Sequence, residues 1–176
     1  LSFFAPGAYI ADSTALSMKI TADGQMKANM KSGRIALKDK YLKGIKLSAD
    51  NDSGKLGGVM TVGELSAGPI KTMDNKLSFN ADADSLSVDF SYDNKTELEN
   101  RGVIHLGGNI FRDENDTLRA KFRFFPSHIL LNDDKWDISS SDISFGGSDI
   151  NIGNLSIRGD NQSIVLSGGY SPTMAD

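Results

Sequence analysis

The sequence predicts an all-β fold. Three observations carry that expectation: apolar residues recur at alternate positions, turn-forming clusters separate those stretches, and helical spacing is almost absent. Leu16, Met18, Ile20 and Ala22 alternate with Ser17, Lys19 and Thr21, and Leu77, Phe79, Ala81 and Ala83 with Ser78, Asn80 and Asp82. Leu86, Val88, Phe90 and Tyr92 alternate with Ser87, Asp89 and Ser91, and Leu118, Ala120, Phe122 and Phe124 with Arg119, Lys121 and Arg123. Successive strand side chains point to opposite faces, so each stretch has one apolar and one polar side.

Shorter strands are expected at Trp136 and Ile138, Ile143 and Phe145, Ile150 and Ile152, Leu155 and Ile157, and Ile164 and Leu166. Turn formers punctuate them at Asn132-Asp133-Asp134, Gly146-Gly147-Ser148, Gly153-Asn154 and Gly159-Asp160-Asn161. Earlier turns are expected at Asp50-Asn51-Asp52-Ser53-Gly54, Asp74-Asn75 and Asp113-Glu114-Asn115-Asp116, where the residues tolerate positive φ or cap with their side chains. Gly57-Gly58 and Gly107-Gly108 read as bulges or strand bends. Lys95 to Arg101 is the one patch with helical character. The chain reads as a single all-β segment, 1–176, without a linker or low-complexity tract.

Strands apolar on one side and polar on the other suit an antiparallel sheet wet on one face. The apolar face then needs a covering, which could be a second sheet, barrel closure, or a ligand in a curved trough. No amphipathic helix is long enough to supply it.

At 39% hydrophobic and 24% charged, the composition is that of a folded domain. The net charge of −4 leaves no basic footprint, so nucleic acid is not an expected partner. No apolar run reaches the roughly 18 residues of a membrane helix. The chain opens on Leu1 and closes with Ser171-Pro172-Thr173 near its end, and reads as a segment of a longer protein. The absence of cysteine removes disulfides, thiolate metal sites and a cysteine nucleophile.

No catalytic, cofactor or metal site is expected. His105 and His128 fall out of phase with their apolar neighbours and lack partners at zinc-ligand spacing. Asp50-Asn51-Asp52-Ser53-Gly54 departs from a calcium loop, because its glycine stands fifth and Thr61 holds the twelfth position. There is no nucleophile elbow, phosphate loop or dinucleotide fingerprint.

The run Phe122-Arg123-Phe124-Phe125-Pro126-Ser127-His128-Ile129-Leu130-Leu131-Asn132-Asp133-Asp134-Lys135-Trp136-Asp137-Ile138 resembles the C-terminal (DUF490) region of TamB proteins from Bacteroidota-like bacteria. The likeness continues through Asp149 to Ile157 and Gln162 to Gly168 and covers about 50 residues, while the rest of the chain follows the family only by strand pattern. Such a resemblance implies an elongated, curved antiparallel or mixed sheet with a hydrophobic trough, a β-taco of the AsmA-like bridge type, with few or no helices. It further implies a periplasmic segment whose parent is anchored in the inner membrane. Its expected partners are phospholipid and, through the parent, a BamA-like (TamA-type) outer-membrane protein. The expected function is non-enzymatic: lipid acyl chains, or unfolded outer-membrane strands, are held during outer-membrane biogenesis. Candidate trough residues are Leu16, Met18, Ile20, Leu77, Phe79, Leu86, Val88, Phe90, Phe122, Phe124, Trp136 and Ile138. The alternative is a β-sandwich adhesion or carbohydrate-binding module, in which the same residues form a closed core.

Overall fold

A computed structural model describes residues 8–52, 54–68, 70–146 and 149–171. The fold is all-β and antiparallel, 74% strand, with no helix among the described residues. The chain divides into two compact units, Leu1–Asn80 with Phe90–Lys95, and Ala81–Asp89 with Thr96–Asp176.

The first unit holds β1 (Ala8–Ile10), β2 (Ala15–Ile20), β3 (Met26–Leu37), β4 (Lys40–Asp50), β5 (Leu56–Ala67) and β6 (Ile70–Asp82), to Asn80, together with the end of β7 (Ser85–Asp93). Strands β3, β4, β5 and β6 neighbour one another in chain order, and β1 and β2 both pair with β3. β1 and β2 are one pass along β3, interrupted at the Asp12-Ser13 turn: Ile10 lies opposite Ile35, and Ala15 opposite Lys31. At that level the ladder skips Gly33, Gly44 and Gly63. Gly44 has φ +66°, a left-handed conformation that a Cβ disfavours. Asp74 takes φ +43° within β6. Asp74-Asn75 is therefore a kink inside a strand and not the expected turn. Asn75 is buried; its amide donates to the carbonyls of Val62 and Thr72 and its oxygen accepts from the Thr72 hydroxyl.

The second unit holds the first part of β7, β8 (Arg101–Arg112), β9 (Leu118–Phe124), β10 (Ser127–Leu131), β11 (Asp134–Ile138), β12 (Ser141–Gly146), β13 (Asp149–Arg158) and β14 (Ser163–Tyr170). Its neighbour order, β8-β10-β11-β13-β12-β9 with β8 also on β9, resembles a ring with crossovers. The register resolves it into a simple meander. β9 and β10 both run along β8, with Phe124 opposite Leu106 and His128 opposite Val103. They form one pass broken at Phe125-Pro126, where four residues span three on β8. β11 and β12 likewise form one pass: Ile138 faces Ser127 and Ser141 faces Phe124 without a slip. β13 pairs with both halves, and β14 pairs with β13. Proline cannot donate to a ladder, which places the first break at Pro126.

Three further expectations change here. Gly153-Asn154 is a bulge within β13, three residues from Ile152 to Leu155 spanning two on β14, and not a turn between two strands. Lys95 to Arg101 forms no helix: the segment joins β7 to β8, Lys95 has φ +49°, and its N–H donates to the Asp93 carboxylate. The Glu99 N–H donates to Asp133, so tertiary capping replaces helical bonding. Gly57-Gly58 and Gly107-Gly108 show no register slip. They make room for aromatic rings: a Cβ at Gly58 would lie 2.5 Å from the Phe79 ring, and one at Gly107 2.9 Å from that of Phe125.

The turns at Asp113–Asp116 and Asn132-Asp133 form as expected; Asn132 and Asp133 take φ +53° and +69° in a two-residue hairpin loop. The turn at Asp50 to Gly54 also forms, joining β4 to β5. Ser53, Gly147, Ser148, Pro172 and Thr173 lie outside the described residues.

Among the described residues the buried hydrophobic ones are few: Ala36, Ile45, Ala49, Val62, Tyr92 and Ile138. Ile45, 2% exposed, sits between Ser32 and Val62, whereas Leu16 on the outer strand β2 is 71% exposed. Ile45→Ala is expected to cost about 2–5 kcal/mol in urea unfolding, against roughly 0.5 kcal/mol or less for Leu16→Ala. Equal losses would show that Ile45 is not a packing centre.

Candidate functional site: the uncovered apolar faces

Directly opposed residues of an antiparallel pair point to the same face, so the register assigns each apolar side chain to a surface. In the first unit one row runs Leu16, Met30, Leu47, Met60, and the next runs Met18, Ala28, Ala49, Gly58, with the Phe79 ring against Gly58. Ile20 lies opposite Met26. Four methionines, Met18, Met26, Met30 and Met60, thus share this face, where their unbranched chains suit irregular contacts. Leu77 and Phe79 on β6 are half-buried, as is Phe90 on β7, whose ring stacks on Tyr92 at 6.3 Å between centroids. Burial pushes the Tyr92 phenol pKa up.

In the second unit one row runs Ile110, Ala120, Phe145, Ile150, Tyr170, and another runs Gly108, Phe122, Ile143, Ile152, Gly168. Toward the other strand ends, Gly102 faces Ile129 and Ile129 faces Trp136, while Ser127, Ile138, Ile157 and Ile164 form a fourth row. Even-numbered β8 residues Gly102, Leu106, Gly108 and Ile110 share a face, so all four rows belong to one apolar surface. The bulges make this possible. Phe124 and Ile129, Ile138 and Ile143, and Ile152 and Leu155 are separated by odd numbers of residues, and regular strands would send them to opposite sides. An additional residue restores the phase in β9–β10 against β8 and in β13 against β14, while β11–β12 stay in register with both neighbours through the break at Ser139-Ser140.

Part of this surface is exposed, although Ile138 within it is buried. Phe145 is 40% exposed and Tyr170 65%, while Phe122, Phe124 and Trp136 are half-buried by neighbours in the same sheet. Phe122 meets Phe145 edge-on at 6.2 Å between centroids. Of the predicted residues, Phe122, Phe124, Trp136 and Ile138 come together here; Leu86 and Val88 lie half-buried on β7 of the same unit. Leu16, Met18, Ile20, Leu77, Phe79 and Phe90 belong to the first unit. Sequence reasoning omitted Met30, Leu47, Met60, Ile110, Phe145, Ile150 and Tyr170. Only the pairing register reveals that they complete the rows.

The opposite side of the second unit is polar. Arg123 forks onto Asp142 at 2.6 and 2.9 Å, and Arg119 donates to Asp113 at 2.7 Å. His105 Nδ1 lies 2.6 Å from Asp89, and His128 is exposed. Among the described residues no three potential metal ligands cluster. In the first unit Tyr41 donates to Glu64 at 2.5 Å, Lys71 pairs with Glu64 at 2.8 Å, and Arg34 stacks over the Tyr41 ring at 4.5 Å. The Lys71 ammonium and then the Tyr41 hydroxyl hold the Glu64 carboxyl below its ordinary range.

No family profile, curated protein or solved structure matches the chain.

The polar face generates a pH prediction. The Arg119 guanidinium, then the Thr117 N–H, depress the Asp113 carboxyl below its ordinary 3.8. A depressed carboxylate contributes stability that is present above the unfolded value and lost as pH falls through the folded one. Arg119→Gln should therefore destabilise the chain at neutral pH, and its unfolding midpoint should approach that of wild type as pH drops below 3.8. A gap independent of pH would show that Arg119 acts through packing alone.

Proposed function

We propose that this chain is a non-enzymatic segment of an envelope-spanning, TamB-like protein whose apolar faces hold lipid acyl chains in a trough. The observation that carries the reading is the apolar surface of the second unit. It is kept in phase through the strand breaks and left exposed at Ile110, Phe145, Ile150 and Tyr170. Monomeric proteins seldom leave a large contiguous apolar patch open without an interaction to cover it. An acyl chain laid on such a surface gains about 0.8 kcal/mol for each CH₂ removed from water. The ion-paired reverse side stays compatible with an aqueous compartment.

The resemblance of Phe122 to Ile138 to the TamB C-terminal region adds the context. The segment works in the periplasm as part of a parent anchored in the inner membrane. The parent delivers phospholipid, or outer-membrane strands, in concert with a BamA-like partner. Movement along the surface is passive, since dispersion and desolvation differ little from one apolar row to the next. No bond is made or broken, and the reading needs no cofactor.

Trp136 is the sole tryptophan, so its fluorescence reports on this surface alone. Phospholipid with brominated acyl chains is expected to quench it, and native mass spectrometry of the purified chain to show bound phospholipid. Phe124→Asp should abolish both signals, while Lys121→Glu, on the opposite side, keeps them. Equal lipid recovery from the two variants, or none from the wild type, would overturn the proposal; glycan binding that persists after delipidation would favour a carbohydrate-binding module.

A further inference from the structure

The breaks in the second unit leave a cleft of about 890 Å³ beside the bulge of β13. Its walls include Ser139, Asn154, Ser156 and Arg158. Asp137, Ser156 and Arg158 alternate with Trp136, Ile138, Leu155 and Ile157, so they point away from the apolar surface. The cleft also touches Ser127 and Ile138 of the fourth apolar row, so it borders that surface while its charged donor faces away from it.

Beside an apolar lining of Pro126, Ile138 and Val165, most of its polar groups are hydrogen-bond donors. The Ser156 N–H donates to Ser139 Oγ at 3.0 Å, which leaves the Ser139 hydroxyl proton available. Arg158 Nε donates to Ser156 Oγ at 3.1 Å, which leaves the Ser156 proton and both terminal guanidinium nitrogens available. Ser156 is buried, so this bond fixes the arginine at its inner end. Arg119 and Arg123 are neutralised by Asp113 and Asp142, and Arg101 and Arg112 by Glu99 and Asp116. Among the described residues no carboxylate pairs with Arg158. Its direct cross-strand partner, Asp137, is held by Lys135 at 3.0 Å instead. Asn154, exposed at the bulge, adds an amide donor.

An anchored, unpaired guanidinium beside hydroxyl and amide donors suits a ligand that offers several charged acceptors at once. We propose that this cleft binds a phosphate-class oxyanion, with the Arg158 fork as the charged ligand and Ser139, Asn154 and Ser156 as neutral donors. Inorganic phosphate and the headgroup of a phosphate-monoester lipid present the same chemistry. Asp137 acts as an internal brake, because its carboxylate repels the anion.

The test is an amide chemical-shift titration of the whole chain with inorganic phosphate, against chloride at matched ionic strength. Saturable shifts centred on Ser139, Ser156 and Arg158 are expected. Arg158→Gln should weaken binding about ten-fold or more, Ser139→Ala should weaken it less, and Asp137→Asn should tighten it. Arg123→Gln, on the same side but paired to Asp142, should leave it unchanged. Flotation with phosphatidylcholine vesicles, with and without phosphatidic acid, separates the two sources. Binding that depends on both phosphatidic acid and Arg158 assigns the site to a headgroup, and phosphate shifts without vesicle binding assign it to the free anion. Shifts reproduced by chloride, no saturation, or an Arg158→Gln variant that binds like wild type would overturn the proposal, and none of these outcomes bears on acyl-chain binding by Trp136.

Discussion

Side chains on an extended strand alternate between two faces, and the phase changes only where a break or an added residue interrupts the regular strand. The second unit is organised around this constraint. Its apolar residues change parity between Phe124 and Ile129, between Ile138 and Ile143, and between Ile152 and Leu155. The passes break at the same level, near Pro126, Ser139 and Gly153. The irregularity is what keeps the apolar surface whole. Where the breaks occur, the serines whose backbone partners shift take part in local bonding, as at Ser139 and Ser156.

The first unit solves a related problem with glycine. Gly33, Gly44 and Gly63 occupy one level of β3, β4 and β5, and the ladder is interrupted there without an added residue. On one side of that level Ile45, Val62 and Ala49 are buried. On the other side Tyr41, Glu64, Lys71 and Arg34 form a polar cluster. Few apolar side chains are fully buried in either unit among the described residues. Backbone ladders and cross-strand pairs are the main source of cohesion, each pair adding a few tenths to about 1 kcal/mol.

A sheet built in this way keeps two chemically distinct sides. The apolar side depends on residues contributed by successive passes, so each candidate matters through its row and not through its own strand. Phe122 meets Phe145 only because Ile143 lies opposite it and Phe145 opposite Ala120. The polar side is dominated by arginine–carboxylate pairs at Asp113 and Asp142. Arg158 stands apart from that pattern because Lys135 engages the carboxylate across from it.

The alternation in the sequence was enough to establish the all-β class and to locate β2, β6, β7, β9 and the strands from β11 onward. Period-two burial is a local property, and each of those strands carries it within a few residues. β3, β4 and β5 were not legible, because Met26 to Ala67 mixes lysine, serine and glycine with small apolar residues and the glycine level disrupts the period. Asp74-Asn75 looked like a turn and Lys95 to Arg101 like a helix, since local composition cannot register a buried carbonyl at Val62 or a carboxylate at Asp133. Leu16, Phe79, Phe122, Phe124 and Trp136 could be named as apolar-face residues from their own strands. Phe145 and Ile150 were legible as strand residues too, but that they, Met30, Met60 and Tyr170 complete the same rows was not. Which strands pair, in which register and around which bulge, depends on hydrogen bonds between residues far apart in the chain, and that was decided by the tertiary structure alone.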